Sequence, residues 1–305
     1  MEYILTAKDL TKEYRHSAKA LNRFSIHVPK GAIYGFVGEN GAGKTTFIRM
    51  VCGLQSPTSG TYTLYGVKNT DKNILHSQKR IGAVVETPAI YMDMTAKNNL
   101  KQQYQMLGMP SYDGIDELLH LVGLEKAGKK KVKHFSLGMR QRLGIAVALV
   151  GSPDFLILDE PGNGLDPQGI IEMRELILKL NRKKQITILI SSHNLDELSR
   201  LATHYGFIAS GRMVKEIEAK ELWKVCRSCV RLTVTDTTVL ARVLDMMNME
   251  YEILSDTVAN LYGEVPVSDL TLKLAQDNCF ITSLHEQAET LESYYINLVG
   301  GASHE

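Results

Sequence analysis

A chain of 305 residues that is 44% apolar and 23% charged can bury more than one core, and its composition is that of an ordinary globular protein. Lys and Arg number 35 against 34 acidic residues; a net charge of +1 gives no general pull toward nucleic acid, and none is expected as a partner. No apolar run approaches the roughly 18 residues that span a bilayer, the N-terminus MEYILTAKDLTKEY lacks a signal-peptide pattern, and four cysteines, with one C-x-x-C at Cys226 and Cys229, read as reduced thiols rather than a disulfide framework.

In chain order, Tyr3–Leu10, Leu21–Val28 and Gly60–Gly66 cluster β-favouring residues between turns at Pro29-Lys30-Gly31 and Pro57–Gly60, which predicts an antiparallel subdomain. Within this stretch the apolar run Ala32–Val37 leads directly into GENGAGKT and a helical segment, Lys44–Cys52. That is a phosphate loop in its proper context of strand, glycine-rich turn and helix. Gly38, Glu39, Asn40, Gly41, Ala42, Gly43, Lys44, Thr45 and Thr46 are therefore the candidate phosphate-binding residues. Main-chain N–H groups close around phosphate oxygens and the helix points its positive end at them. Lys44 would reach the β- and γ-phosphates, and the Thr45 hydroxyl would bind Mg²⁺.

A strand is expected at Arg80–Val85, ending at Glu86, and a helical pattern runs from Thr95 to Leu124, with Thr95 and Asp113 as N-caps and Gly108-Met109-Pro110 as a break. The run Lys129-Lys130-Lys131-Val132-Lys133 is a solvated loop, or else it faces lipid headgroups or an acidic partner. Ser136 can cap the helical stretch that follows it. Asp154–Leu158 is a buried-strand pattern delivering Asp159 and Glu160, with Pro161 forcing a turn. Beside a nucleotide, Asp159 would hold Mg²⁺ through water and Glu160 would be the base or orienter for an attacking water. Helix Pro167–Lys183, strand Ile186–Ser192 and helix Leu195–Ala202 complete an α/β core of mostly parallel strands. Beyond about residue 220 the order becomes strand Val230–Thr235, helix Thr238–Met247, hairpin Glu250–Leu254 and Val258–Gly263, helix Val267–Gln276, strand Cys279–Leu284 and helix Thr290–Val299, a split βαβ arrangement without a catalytic constellation.

The order of these motifs resembles the ATPase subunit of ATP-binding cassette transporters, over about residues 3–220. In HFSLGMRQR (134–142), Ser136 and Gly138 with Gln141-Arg142 match that family's signature segment. The resemblance implies that they contact the γ-phosphate held by a partner subunit. Asn163-Gly164-Leu165-Asp166 matches the loop that crosses the dimer interface, and His193 resembles the switch histidine that contacts the γ-phosphate. Tyr14 is similar to the aromatic that stacks on adenine, unless it is a core or surface residue of an edge strand. Glu86 stands where the family usually has Gln, and Leu137 and Met139 stand where it has Gly and Gln. Glu86 together with FSLGMRQR resembles the bacitracin-export and lantibiotic-immunity branch.

An ionised Glu86 can only accept hydrogen bonds; it would be drawn to the metal and repelled by the γ-phosphate, tuning hydrolysis, unless it is a tolerated surface acid. The fold class so implied is α/β: a phosphate-loop ATPase with an antiparallel β subdomain and a helical subdomain at about 90–150, plus a small C-terminal α+β domain at 226–300. Also implied are ATP and Mg²⁺, a second ATPase subunit (identical or a paralogue), membrane-spanning permease subunits whose coupling helix enters a groove near Glu86–Asn99, and a peripheral place at the cytoplasmic face of the membrane. The transported substrate would be an amphiphilic antimicrobial peptide, or another small molecule or lipid. A soluble cassette ATPase acting on ribosomes or DNA usually has two cassettes or a long coiled-coil insertion, and this chain has neither. The C-terminal domain reads as a dimer-stabilising appendage or a ligand sensor.

Overall fold

The structure, a computed structural model, describes residues 2–15, 19–226, 229–263, 265–287 and 291–301. These fall into two compact units that divide between Ala219 and Lys220. The first contains β1 (Tyr3–Glu13), β2 (Lys19–Pro29), β3 (Ile33–Val37), α1 (Lys44–Val51), β4 (Ser59–Leu64), β5 (Val67–Lys68), α2 (Ile74–Gln78), β6 (Ile81–Val84), α3 (Ala96–Met106), α4 (Ile115–Leu121), α5 (Leu137–Ala148), β7 (Phe155–Asp159), α6 (Pro167–Lys184), β8 (Thr187–Ser192), α7 (Leu195–Ser199), β9 (His204–Ala209) and β10 (Arg212–Glu218).

Strands β2-β1-β4-β5 make an antiparallel sheet, and β10-β9-β3-β8-β7-β6 make a second sheet that is parallel except at its β10 edge. Every residue of β3, β7 and β8 is buried. That is the signature of parallel strands covered on both faces, and it explains the apolar stretches IYGFV, FLIL and ILI at their centres. Phe24 of β2, Phe36 of β3 and Phe47 of α1 meet with ring centroids 4.9–5.6 Å apart, all fully buried. Tilted and edge-on aromatic contacts of this kind add about 0.5–1.5 kcal/mol each beyond area burial. They fix α1, and with it the loop that precedes it, against both sheets.

Register then decides where the polar residues emerge. Val37 pairs with Ser192, and Asp159 with Ser191, so the ends of β3, β8 and β7 lie side by side at one edge of the sheet. In open parallel sheets, that carboxyl edge is where ligands bind.

Several local expectations are corrected. The strand expected to run to Gly66 stops at Leu64, because Tyr65 (φ +52°) and Gly66 (φ +77°) turn the chain into β5. Asp113 is no cap: Gly114, at φ +90°, takes the N-cap position of α4, and the Asp113 carboxylate accepts instead from the Ser111 hydroxyl. Helix α7 ends at Ser199 rather than Ala202, since the Leu198 carbonyl takes the N–H groups of Leu201 and Ala202 and the Tyr205 hydroxyl, turning the chain into β9. Thr95 does cap α3, accepting from the Asn98 N–H.

Helix α8 (Ala219–Val225) begins at the division, and the second unit continues with β11 (Cys229–Val234), α9 (Thr237–Met246), β12 (Glu250–Ile253), β13 (Val258–Tyr262), α10 (Val267–Gln276), β14 (Ile281–Gln287) and α11 (Leu291–Gly301). Its sheet is antiparallel in the order β12-β13-β11-β14. Leu232, Val234, Ala259 and Leu261 from one face of the sheet pack on Leu240, Leu244, Leu270 and Leu274 from α9 and α10. The β-α-β-β-α-β order expected from the sequence is the order observed. Thr290, the expected start of the last helix, lies outside the described residues.

Candidate functional site

The loop between β3 and α1 is shaped by its glycines. Gly43 sits at φ +110° and an added Cβ would lie 2.5 Å from the Ala20 carbonyl oxygen; at Gly38 it would lie 2.6 Å from the backbone of Ile208. Side chains at these two points would collide with the protein itself. At Gly41 (φ +84°) nothing lies within 4 Å of that position, so the crest of the loop faces open space. No side chain caps α1, whose first N–H groups have no intrahelical partner and present donors with the positive end of the helix dipole. A glycine-lined cradle with uncapped donors suits an anion such as a phosphate.

Lys44 is buried, with its ammonium donating to the carbonyls of Gly38 at 2.5 Å and Glu39 at 3.1 Å. Its third neighbour is Glu160 Oε1 at 3.2 Å, within ion-pair range. That carboxylate oxygen is buried yet has no aligned hydrogen-bond donor. Glu160 adopts φ +51°, a left-handed conformation costing about 1–3 kcal/mol for a residue with a Cβ. It is held there by its own N–H, which donates to the Ser191 carbonyl at 3.2 Å and the Ser191 hydroxyl at 3.0 Å. Its second oxygen lies 2.7 Å from His193 Nδ1. The first residue of α1, a carboxylate and an imidazole therefore converge at the ends of β3, β7 and β8.

One step deeper, the Thr45 hydroxyl donates to Asp159 Oδ2 at 2.8 Å and the Ser191 hydroxyl donates to Asp159 Oδ1. A hydroxyl and one carboxylate are a sparse, hard oxygen set. Such a set fits Mg²⁺, which keeps several waters and substrate oxygens in its shell. It does not fit an ion needing a full protein cage, and among the described residues no group of three or more His, Cys, Asp or Glu forms one.

The other expected residues are arranged around this centre. Ser136 caps α5 by accepting from the Met139 N–H at 3.2 Å, and a Cβ at Gly138 would only touch Leu165 at 3.7 Å, leaving that helix end open. Asp166 caps α6, accepting from the Gly169 N–H at 3.1 Å. Tyr14 is 38% exposed; its hydroxyl donates to Gln55 at 2.7 Å and the Lys12 ammonium lies 5.4 Å from the ring centroid. Glu86 (φ +59°) is exposed and accepts from Arg49 at 2.8 Å. Its hydrogen bond thus goes to the outer face of α1, one helical turn beyond Thr45, and not to Thr45 or Asp159.

Sequence reasoning missed three members of this neighbourhood. Ser191 holds both Asp159 and the Glu160 backbone, yet reads in sequence as the polar end of a strand. Arg49 is invisible as a partner until α1 and β6 are placed together. Glu197 of α7 lies over Gly162, where a Cβ would meet its carboxylate at 2.6 Å. Burial first, and the Glu160 charge second, push the Glu197 pKa up, with His193 opposing. Close by, burial and the Asp159 charge push the Cys52 thiol up to about 12, which leaves it an inert packing residue.

Comparison with known proteins gives a consistent picture. A family model described as "ABC transporter" matches residues 21–163. The bacitracin transport ATP-binding protein BcrA of Bacillus licheniformis is 41% identical over 99% of this chain and 99% of its own length. The protein of the same name in Enterococcus faecalis is 38% identical over 99% and 98%. The lantibiotic transport ATP-binding protein SrtF of Streptococcus pyogenes is 43% identical over 70% of this chain and 91% of its own. Among solved structures, cbiO1 from Clostridium perfringens, part of an ABC transporter complex, superposes with a TM-score of 0.66 at 26% identity, covering 81% of this chain and all of that one. A dimeric ATP-binding cassette bound to ADP and Pi gives 0.64 at 23% identity over 70% and 98%, a likeness of fold.

Proposed function

The chain belongs to the ABC transporter ATP-binding family, and from that premise we propose that it is the ATP-hydrolysing motor subunit of an exporter conferring resistance or immunity to antimicrobial peptides of the bacitracin and lantibiotic type. The meeting of Lys44, Thr45, Asp159, Glu160 and His193 at the shared ends of three parallel strands carries the ATPase part of this reading, and likeness to the bacitracin and lantibiotic transport proteins supports the export of peptides. Residues 3–220 are its nucleotide-binding domain, with the helical part at about 90–150, and 226–300 an accessory domain that stabilises the dimer.

The triphosphate of ATP rests on the main-chain amides from Gly38 to Thr46, with Lys44 on its β- and γ-phosphates and Tyr14 stacked on adenine. Thr45 and Asp159 would hold Mg²⁺, which supplies charge neutralisation for the β- and γ-phosphate oxygens. Glu160 orients the attacking water and takes its proton, and His193 fixes Glu160 and contacts the γ-phosphate. Ser136 and Gly138, at the open end of α5, contact the γ-phosphate bound by a second ATPase subunit, and Asp166 holds the loop that crosses between the two. Glu86, bonded to Arg49 one turn of α1 beyond Thr45, couples the metal site to the permease-facing surface through that helix. Catalysis is positioning and electrostatics throughout.

No helix among the described residues is long and apolar enough to cross a membrane. The subunit is held at the cytoplasmic face by its permease partners. Purification with the co-expressed permease tests the reading: bacitracin or a lantibiotic should stimulate phosphate release by the complex, and cells carrying it should tolerate more of that peptide. Turnover indifferent to such peptides, with no protection of the cell, would remove the peptide-export assignment.

A further inference from the structure

The chain is nearly neutral overall, yet one surface of the first unit is strongly basic. Lys129, Lys130, Lys131 and Lys133 are all exposed, and the residue between them, Val132, is fully buried and anchors the run. The run is ordered by the main chain. The N–H groups of Val132 and Lys133 donate to the carbonyls of Met94 and Met92 at 2.9 and 2.8 Å, and Lys131 forms an antiparallel bridge with Thr95. The result is a platform made of a single bridge, a turn at Met92–Met94 and one short 3-10 turn over Val132–His134. One segment carries the lysines, and the segment bonded to it exposes Tyr91 at 50% and Met92 at 38%. Asp93 is the platform's acidic residue and pairs with Lys133 at 2.9 Å; the Lys130 ammonium lies 6.0 Å from the Phe135 ring centroid. Among the described residues Lys129 and Lys131 form no ion pair. The exposed large apolar residues of the first unit also crowd this part of the chain, where Met106, Leu107, Met109 and Tyr112 join Tyr91 and Met92.

We propose that the Lys129–Lys133 run docks on the anionic headgroups of the membrane, at the rim of the groove near Glu86–Asn99 that receives the permease. Charge complementarity carries this assignment. Lys129, Lys130 and Lys131, which form no ion pair among the described residues, carry three ammonium groups on flexible stems from a run that the main chain holds in place. Each lysine near an anionic surface strengthens binding by about fivefold, and the attraction is screened within a Debye length. The platform alone gives weak, reversible attachment. It orients a subunit that other contacts already hold, so the inference rests on the membrane-bound reading above.

The test uses the full-length protein and vesicles, without the permease. Sedimentation with phosphatidylcholine vesicles should bring down little protein. Vesicles containing phosphatidylglycerol should bring down more, by at least about tenfold at low salt and progressively less as salt rises. The triple variant Lys129→Gln, Lys130→Gln, Lys131→Gln should lose that difference while keeping wild-type ATP binding and circular dichroism. Equal binding of variant and wild type to anionic vesicles would overturn the proposal, as would no preference for anionic over neutral vesicles. So would a variant that binds vesicles normally but fails to assemble with the permease, since the lysines would then meet an acidic protein segment. Any of these outcomes with ATP binding intact leaves the ATPase assignment standing.

Discussion

Replacing Glu160 by Gln separates catalysis from binding in this site. The amide is isosteric, can present its oxygen to Lys44 and its NH₂ to His193, and leaves the Ser191 contacts to the Glu160 backbone in place. Folding and nucleotide affinity should therefore persist. What is lost is a group able to take a proton from water. A positioned general base contributes about 10²–10⁴ in rate, or roughly 2.7–5.5 kcal/mol of barrier. Phosphate release under saturating Mg-ATP should fall by that factor, with the Kd for a fluorescent ATP analogue changed by less than about tenfold, or roughly 1.4 kcal/mol. Closed dimers should also accumulate in the presence of ATP, visible by size-exclusion chromatography. A variant that hydrolyses ATP at the wild-type rate would refute the role given to Glu160, and one that no longer binds ATP would show that the carboxylate serves the loop rather than the chemistry.

Other consequences follow from the same geometry. Gly43→Ala forces a Cβ against the Ala20 carbonyl at φ +110°; strain of about 1–3 kcal/mol and overpacking of about 1–3 kcal/mol should appear together as a lowered urea midpoint, whereas Gly41→Ala, facing open space, should cost less stability while still weakening ATP binding. The pKa of Glu197 is raised in the fold, so the native state holds its proton more tightly than the unfolded chain and stability falls as pH climbs from the ordinary carboxylate range through the raised value. Glu197→Gln removes that penalty and should be more stable than wild type at pH 8 by urea titration, with the gap closing toward about pH 4; an identical gap at both pH values would contradict the linkage. Glu86→Gln breaks an exposed pair with Arg49 worth about 0–1 kcal/mol, so thermal stability should barely move while turnover of the permease complex changes; unaltered turnover would make Glu86 a bystander.

How much of this was legible in the sequence depended on whether the information was local. The phosphate loop, the Asp159-Glu160-Pro161 strand end and the Ser136 cap are contiguous patterns whose spacing carries their geometry, and the buried strands β3, β7 and β8 announce themselves as apolar runs. Contacts between distant segments left no such trace. Ser191 becomes a partner of Asp159 only through the β7–β8 register, and Arg49 meets Glu86 only once α1 packs beside β6. Competing local chemistry explains the misplaced boundaries: Gly114 reaches a positive φ that relieved Asp113 of capping, and the Leu198 carbonyl, shared by the Leu201 and Ala202 N–H groups and the Tyr205 hydroxyl, closes α7. Strands β9 and β10 and helices α2 and α8 were not anticipated, because their short stretches of mixed polarity owe their conformation to the sheet edge and to packing rather than to a strong period of their own.

The central claim is that one subunit's phosphate loop and another's α5 terminus enclose the same triphosphate. A crystal structure of the protein with Mg²⁺ and a non-hydrolysable ATP analogue addresses it directly. The claim predicts a two-fold dimer with each γ-phosphate touched by Lys44 of one copy and by Ser136 and Gly138 of the other. A nucleotide seated on Lys44 while both Ser136 segments remain in solvent would contradict it.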